Sequence, residues 1–166
     1  MKIIALDDNY RTWVKRRTNE LFQGDFITSL GFKHYPHELE GFLAFLEDKA
    51  DEPAGLCTYR IYSDTKAGLK TSELVTLDAH IQWRGIGTKL IKALEERAKL
   101  AKCRRLWLVT TNDNTDALRF YQKLGYRICQ VHRGFVDQER LLKPDIPLLG
   151  NYGIPMRDEI ELEKFL

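Results

Sequence analysis

Helical and alternating stretches of apolar residues succeed one another along the chain. From Asn9 to Phe22, Trp13, Val14, Arg17, Leu21 and Phe22 fall on roughly one side of a predicted helix. Phe26 to Phe32 predicts a short strand, and His34-Tyr35-Pro36-His37 a loop, because proline disfavours helix before it. Gly41 to Glu47, Gly55 to Tyr62 and Ser72 to Leu77 predict three successive antiparallel strands, separated by turns at Asp48 to Pro53 and Ser63 to Lys70. Leu90, Ile91, Leu94, Ala98 and Ala101 lie opposite Lys92, Glu95, Glu96 and Lys99, so Thr88 to Lys102 predicts an amphipathic helix. A buried strand from Arg104 to Thr110 follows, then a helix from Asn114 to Leu124 ended by Gly125. Tyr126 to His132 predicts another strand. Asp158 to Lys164 alternates Ile160 and Leu162 with Glu159, Glu161 and Glu163, as a half-buried strand does. The stretch between these two strands carries Pro144, Gly150, Gly153 and Pro155, and is expected to be a functional loop.

A chain of 166 residues is expected to form one domain with a sizeable core. Its 26 basic and 24 acidic side chains leave a net charge of +2, which argues against a nucleic-acid binder relying on positive charge. No apolar run approaches the ~20 residues that span a bilayer, so no membrane partner is expected. The start turns acidic at Asp7-Asp8, too early for a signal peptide. Cys57, Cys103 and Cys129 are odd in number, lack C-x-x-C spacing and sit in apolar runs. They read as buried free thiols in a reducing, cytoplasmic compartment rather than as disulfides or a zinc site. His34 and His37, three apart across a proline, have no third partner at metal-binding spacing, and no metal is expected.

Gln82-Trp83-Arg84-Gly85-Ile86-Gly87 joins a predicted strand to a predicted helix. Glycines at such a turn let the backbone approach a ligand, and the helix start offers unpaired N–H groups to an anion. Leu90 stands where a dinucleotide fingerprint needs its third glycine, and no P-loop pattern occurs. The motif alone would arise by chance in roughly one chain in ten. Its context makes it specific: antiparallel strands precede it, a helix and a strand follow, and Asn114-Thr115-Asp116-Ala117-Leu118-Arg119-Phe120-Tyr121-Gln122-Lys123-Leu124-Gly125-Tyr126 comes after.

With Q-x-x-G-x-G and N-x-x-A-x-x-x-Y-x-x-x-G-[FY] in this order, the chain resembles the GCN5-related N-acetyltransferase (GNAT) superfamily from about Gly41 to His132. The resemblance implies an α/β (α+β) three-layer fold: a mixed, mostly antiparallel sheet of six to seven strands flanked by about four helices. It implies a last pair of strands forming a hairpin, and acetyl-CoA as co-substrate. Backbone groups of Val75, Thr76 and Leu77 would pair with the pantetheine arm, the Leu77 N–H polarising the thioester carbonyl. Gln82, Trp83, Arg84, Gly85, Ile86, Gly87 and Thr88 would hold the pyrophosphate. Arg84 and Lys89 would either add charge there or be solvated surface charges. Asn114 would contact the cofactor arm, cap the helix, or do both.

By the same resemblance Tyr121 is the general acid for the departing thiolate. A tyrosine of pKa ~10 protonating a thiol of ~8.5 is uphill by about 2 kcal/mol, so a hydrogen bond to the thiolate is the better description. Glu73 is the candidate general base, placed four residues before Leu77, on the same strand face and ~13 Å away. A carboxylate of pKa ~4.3 needs burial or a water relay for that task. The expected activity is acetyl transfer to a primary amine, by direct attack in a ternary complex. The alternative is a non-catalytic acyl-CoA sensor or scaffold. The acceptor, a small-molecule amine or a peptide or protein amine, is expected between Asn9 to His37 and Phe135 to Pro155, with His34, Tyr35, Arg133 and Tyr152 as lining candidates. A homodimer through the terminal hairpin is compatible with the pattern.

Overall fold

The fold is seen in a computed structural model that describes residues 1–48, 51–64, 68–81 and 84–166. Among the described residues the nine strands are β1 (Lys2–Ala5), β2 (Ile27–Ser29), β3 (Phe32–His34), β4 (Glu40–Phe45), β5 (Gly55–Asp64), β6 (Leu69–Ala79), β7 (Arg105–Thr111), β8 (Arg127–His132) and β9 (Glu159–Phe165). The four α-helices are α1 (Arg11–Phe22), α2 (Ile86–Leu100), α3 (Thr115–Lys123) and α4 (Phe135–Leu142). Seven strands form one sheet in the order β1-β4-β5-β6-β7-β9-β8, while β2 and β3 pair separately. Every neighbouring pair is antiparallel except β6 and β7. That parallel step follows from connectivity, because α2 carries the chain back between β6 and β7 as a crossover.

The two faces of the sheet bury different helices. Alternation along β4 sends Leu43 and Phe45 to one face, where they pack with Leu56 and Val14 of α1. Ala44, Cys57, Tyr59 and Leu74 face the other way, into a cluster with Ile86, Leu90, Ile91 and Leu94 of α2 and Tyr121 of α3. Leu90 and Leu94 are fully buried, so the predicted apolar stripe of α2 is its packing face. Arg97 and Lys99 in its last turn suit the negative end of the helix dipole. Gly41 and Gly55 hold strands close. A Cβ on Gly41 would lie 2.4 Å from the Cys57 carbonyl oxygen, and one on Gly55 would lie 2.5 Å from Ile86.

The meander β4-β5-β6, helices α1 to α3 and strands β7 to β9 occupy the places that hydrophobic patterning predicts. Three local predictions are corrected. The predicted strand Phe26 to Phe32 is the hairpin β2–β3, turned at Leu30 and Gly31, both with positive φ. The predicted loop before β9 contains α4, which buries Val136 and Glu139. The last two strands pair antiparallel, as the resemblance implies, but residues 133–158 separate them and β9 inserts between β7 and β8. Strand β1, four residues long, escapes periodicity and forms the sheet edge against β4. Among the cysteines, Cys57 and Cys103 are buried and free, but Cys129 is free and exposed on the outermost strand.

Candidate active site

The site begins where two parallel strands part. β6 and β7 pair only from Thr71↔Arg105 to Leu74↔Leu108, although β6 runs on to Ala79 and β7 to Thr111. The cause lies on the other side of β6. Thr58 of β5 pairs with Thr76 but Tyr59 pairs with Leu74, leaving Val75 as an extra residue in a bulge. A bulge bends its strand and increases its twist. Past it, the β6 edge of Val75, Thr76 and Leu77 borders a cavity of about 880 Å³, whose opposite wall is Leu108 to Thr111.

The bulge also corrects a sequence-based expectation. Glu73 and Leu77, four residues apart, would share a face on a regular strand. With one extra residue between them they take opposite faces. Leu77 pairs with Cys57 and lies toward Gly87 and Phe120, on the α2 side. Glu73 pairs with Arg60 and turns to the α1 side, where its carboxylate accepts a hydrogen bond from the Tyr62 hydroxyl at 2.5 Å. Thr58 and Thr76 share a buried hydroxyl–hydroxyl bond of 2.6 Å on that same side. Both Glu73 and Leu77 line the cavity, from its two sides.

Helix α2 starts beside the splay. Gly85 is its N-cap at φ 70°, a left-handed conformation that glycine adopts without strain. Gly87 brings the helix against α3, since a Cβ there would lie 3.3 Å from the Phe120 ring. Ile86 is buried and Thr88 half-buried. Arg84 is exposed and reaches Asp48 at 3.2 Å, so an anion at this turn would compete with that carboxylate. Gln82 and Trp83 lie outside the described residues.

Helix α3 supplies the far wall. Asn114 is its N-cap and accepts from the Ala117 N–H at 3.3 Å. Two turns on, Tyr121 is the one buried residue of the helix, wedged edge-on between the rings of Phe120 and Tyr126. Both Asn114 and Tyr121 line the cavity with Val75, Thr76 and Leu77. Burial pushes the Tyr121 pKa well above the ordinary tyrosine value, and the nearby Cys57 thiol adds to this. The phenol therefore keeps its proton at neutral pH and can only donate it.

Glu73 is 3% exposed. Burial raises its pKa, while the Tyr62 hydroxyl and the charge of Arg60 pull it back. The His34 ring lies 4.0 Å away, and burial, reinforced by Arg60, lowers its pKa, so it faces Glu73 as a neutral imidazole. Glu73 and Ser29 also line a second cavity of about 280 Å³, with Phe32, His34, Tyr62 and Trp107 around it.

The remaining wall comes from the two regions expected at the acceptor end: Leu21 to Ser29 on one side, and α4 with the segment to Met156 on the other. Arg17 of α1 fixes its helix there by a two-pronged bond to Asp78 of β6, at 2.6 and 3.2 Å. Of the four residues proposed to line this end, His34 reaches only the smaller cavity, and Tyr35, Arg133 and Tyr152 line neither. Patterning missed Glu139, Lys143 and Glu159, all buried at the cavity wall. Glu159 is legible as part of an alternating strand. That its side chain meets a cavity rather than solvent depends on β9 lying beside β7.

A splayed mixed sheet, with a glycine-started helix at the splay and a capped second helix across it, defines an acetyltransferase-type α/β fold. The sequence pattern of the Acetyltransferase (GNAT) family matches residues 6–126, and the chain belongs to that family. The protein YdhI of Bacillus subtilis (strain 168) is 43% identical over 129 residues, 78% of this chain and 76% of that protein. A spermine/spermidine N(1)-acetyltransferase of the same organism is 35% identical over 65 residues, 39% of this chain and 43% of that protein. In fold, a GNAT family acetyltransferase from Elizabethkingia anophelis, solved with acetyl-CoA bound, superposes with a TM-score of 0.69 at 22% identity, covering 99% of this chain and 97% of that one.

Proposed function

We propose that the chain transfers the acetyl group of acetyl-CoA to a primary amine, within a single domain and by direct attack in a ternary complex. The observation that carries this reading is the splay at Val75. It frees the β6 edge at Val75, Thr76 and Leu77 and sets Glu73 and Leu77 on opposite faces of the sheet. The acyl-CoA arm lies along that edge, with the Leu77 N–H directed at the thioester carbonyl and Asn114 at the arm. Its pyrophosphate meets the backbone from Gln82 to Thr88, with Arg84 beside it. The amine arrives from the opposite face, past Glu73.

In the reaction the amine lone pair attacks the thioester carbonyl. The C–N bond forms, the C–S bond breaks, and the electron pair leaves on the CoA sulfur. Glu73 takes the proton released by the amine, directly or through water, and its burial makes it a better base than an exposed glutamate. Tyr121 donates a hydrogen bond to the departing thiolate. With its own pKa raised, full proton transfer is costlier than the ~2 kcal/mol of the reference pair, so stabilisation by the hydrogen bond is the larger effect.

Calorimetry with acetyl-CoA, followed by thiol release across a panel of amines and peptide N-termini, tests the proposal. Binding with release on at least one acceptor is expected. Failure of the folded protein to bind acetyl-CoA refutes it. Binding without release on any acceptor would make the chain an acyl-CoA sensor instead.

A further inference from the structure

The large cavity is acidic. Glu73, Asp113, Asp116, Glu139, Asp145 and Glu159 line it, and Lys143 is its one cationic lining residue among the described residues. That lysine is already engaged: its ammonium donates to the Phe26 carbonyl at 2.8 Å and lies 4.9 Å from the Phe26 ring centre. Two of the carboxylates converge on the β2–β3 turn. Glu139 Oε1 accepts from the Gly31 N–H at 2.5 Å, and Glu159 Oε2 accepts from the adjacent Leu30 N–H at 3.0 Å. Their side chains are 2% and 3% exposed.

Each turn N–H satisfies one oxygen and leaves the other. Glu139 Oε2 and, further along the same cavity, Asp113 Oδ1 are buried with no hydrogen-bond partner among the described residues. A buried acceptor without a partner costs free energy that a donor arriving from the cavity would recover. Two adjacent carboxylates without a cation of their own call for a donor that is positively charged.

Sheet register sets how far this pair lies from the proposed base. Glu73 pairs with Trp107, Trp107 with Glu163, and Glu159 is four residues further along β9. Two strand spacings across and four rises along place Glu73 and Glu159 about 16 Å apart at Cα, on one face of the sheet. Between them, Glu161 and Glu163 both pair with the Arg105 guanidinium, and Glu161 also lies 3.2 Å from the His132 ring.

We infer that Glu139 and Glu159 form a subsite for a distal ammonium group of the acceptor, which makes the acceptor an extended aliphatic amine carrying more than one positive charge. The inference rests on the acetyl-transfer reading: the near amine of the same molecule meets the thioester beside Glu73 while the far one is held at α4 and β9.

Glutamine at either position keeps a carbonyl oxygen for the turn N–H and removes the charge, which Glu159 carries above its raised pKa of about 7. The assays are therefore run at pH 8.5, where a purely structural role for these carboxylates predicts little change. The probes are norspermidine, a linear triamine, and butylamine, each assayed with saturating acetyl-CoA on the full chain. The triamine is expected to have at least a tenfold higher kcat/KM than butylamine. Glu139→Gln and Glu159→Gln are each expected to lower the triamine value at least tenfold more than the butylamine value, mainly through KM. Equal values for the two amines, or equal losses in the variants, would overturn the subsite. So would efficient acetylation of an uncharged peptide N-terminus with the triamine ignored, an outcome that leaves acetyl transfer standing. If no acceptor releases thiol, calorimetry of norspermidine on the CoA-loaded protein decides: binding that weakens tenfold in Glu159→Gln upholds the subsite, and absence of binding overturns it.

Discussion

Replacing Glu159 by glutamine should change how the stability of the protein depends on pH, whatever its substrate. Burial, with the neighbouring charge of Glu139, raises the Glu159 pKa from 4.5 to about 7, against the opposing pull of the Leu30 N–H. His132 of β8 stands opposite Glu159 in the sheet register, but its ring contacts Glu161 at 3.2 Å. A carboxyl group whose pKa is higher in the folded than in the unfolded state stabilises the fold when protonated. That contribution is complete below pH 4.5 and is lost as pH rises through about 7. A difference of about 2.5 units corresponds to roughly 3 kcal/mol in full, of which about 2 to 3 kcal/mol is lost between pH 5 and pH 8.5. Glu73, also raised, slopes the same way, while His34, with its lowered pKa, loses stability as pH falls below the ordinary histidine range. Both are common to wild type and variant, so the difference between the two proteins isolates Glu159. Urea unfolding at pH 5, 6, 7 and 8.5 should show the variant gaining about 2 to 3 kcal/mol over wild type across that range, or roughly 5 to 10 °C in Tm. A difference that stays constant with pH would refute the assignment of a buried, charge-disfavoured carboxyl at this position.

Tyr121→Phe should lower kcat at least tenfold while leaving the acetyl-CoA Kd within twofold of wild type, as measured by thiol release and calorimetry. In wild type kcat/KM should fall as pH drops through the raised Glu73 pKa, because the protonated acid cannot accept the amine proton; Glu73→Gln should flatten that acid limb in a pH–rate profile. Gly41→Ala places a methyl group against the Cys57 carbonyl and should cost about 1–3 kcal/mol by urea unfolding. Leu94→Ala empties a fully buried position under α2 and should cost about 2–5 kcal/mol in the same assay.

Residue patterning was enough to specify the meander, the amphipathic face of α2 and the order of strand, glycine turn, helix, strand and capped helix. These depend on periodicity and on local backbone preferences, which are written residue by residue. Asn114 and Tyr121 could be placed on one side of α3 for the same reason, because seven residues make two helical turns. The short β1 and the helix α4 carry too few periodic positions to register. Their stability comes from pairing with β4 and from packing under the β2–β3 turn. Tertiary structure alone decided which face each glutamate meets. Glu73 leaves the face of Leu77 because one residue bulges at Val75, and no period in the sequence announces a bulge. Glu159 lies in a pattern that reads as solvent-facing, and it is buried because β9 enters the sheet between β7 and β8 and α4 folds over it. The proposed donor side of the site is therefore local and legible. The proposed acceptor side is assembled from segments more than a hundred residues apart, and its acidity emerges only when the fold brings them together.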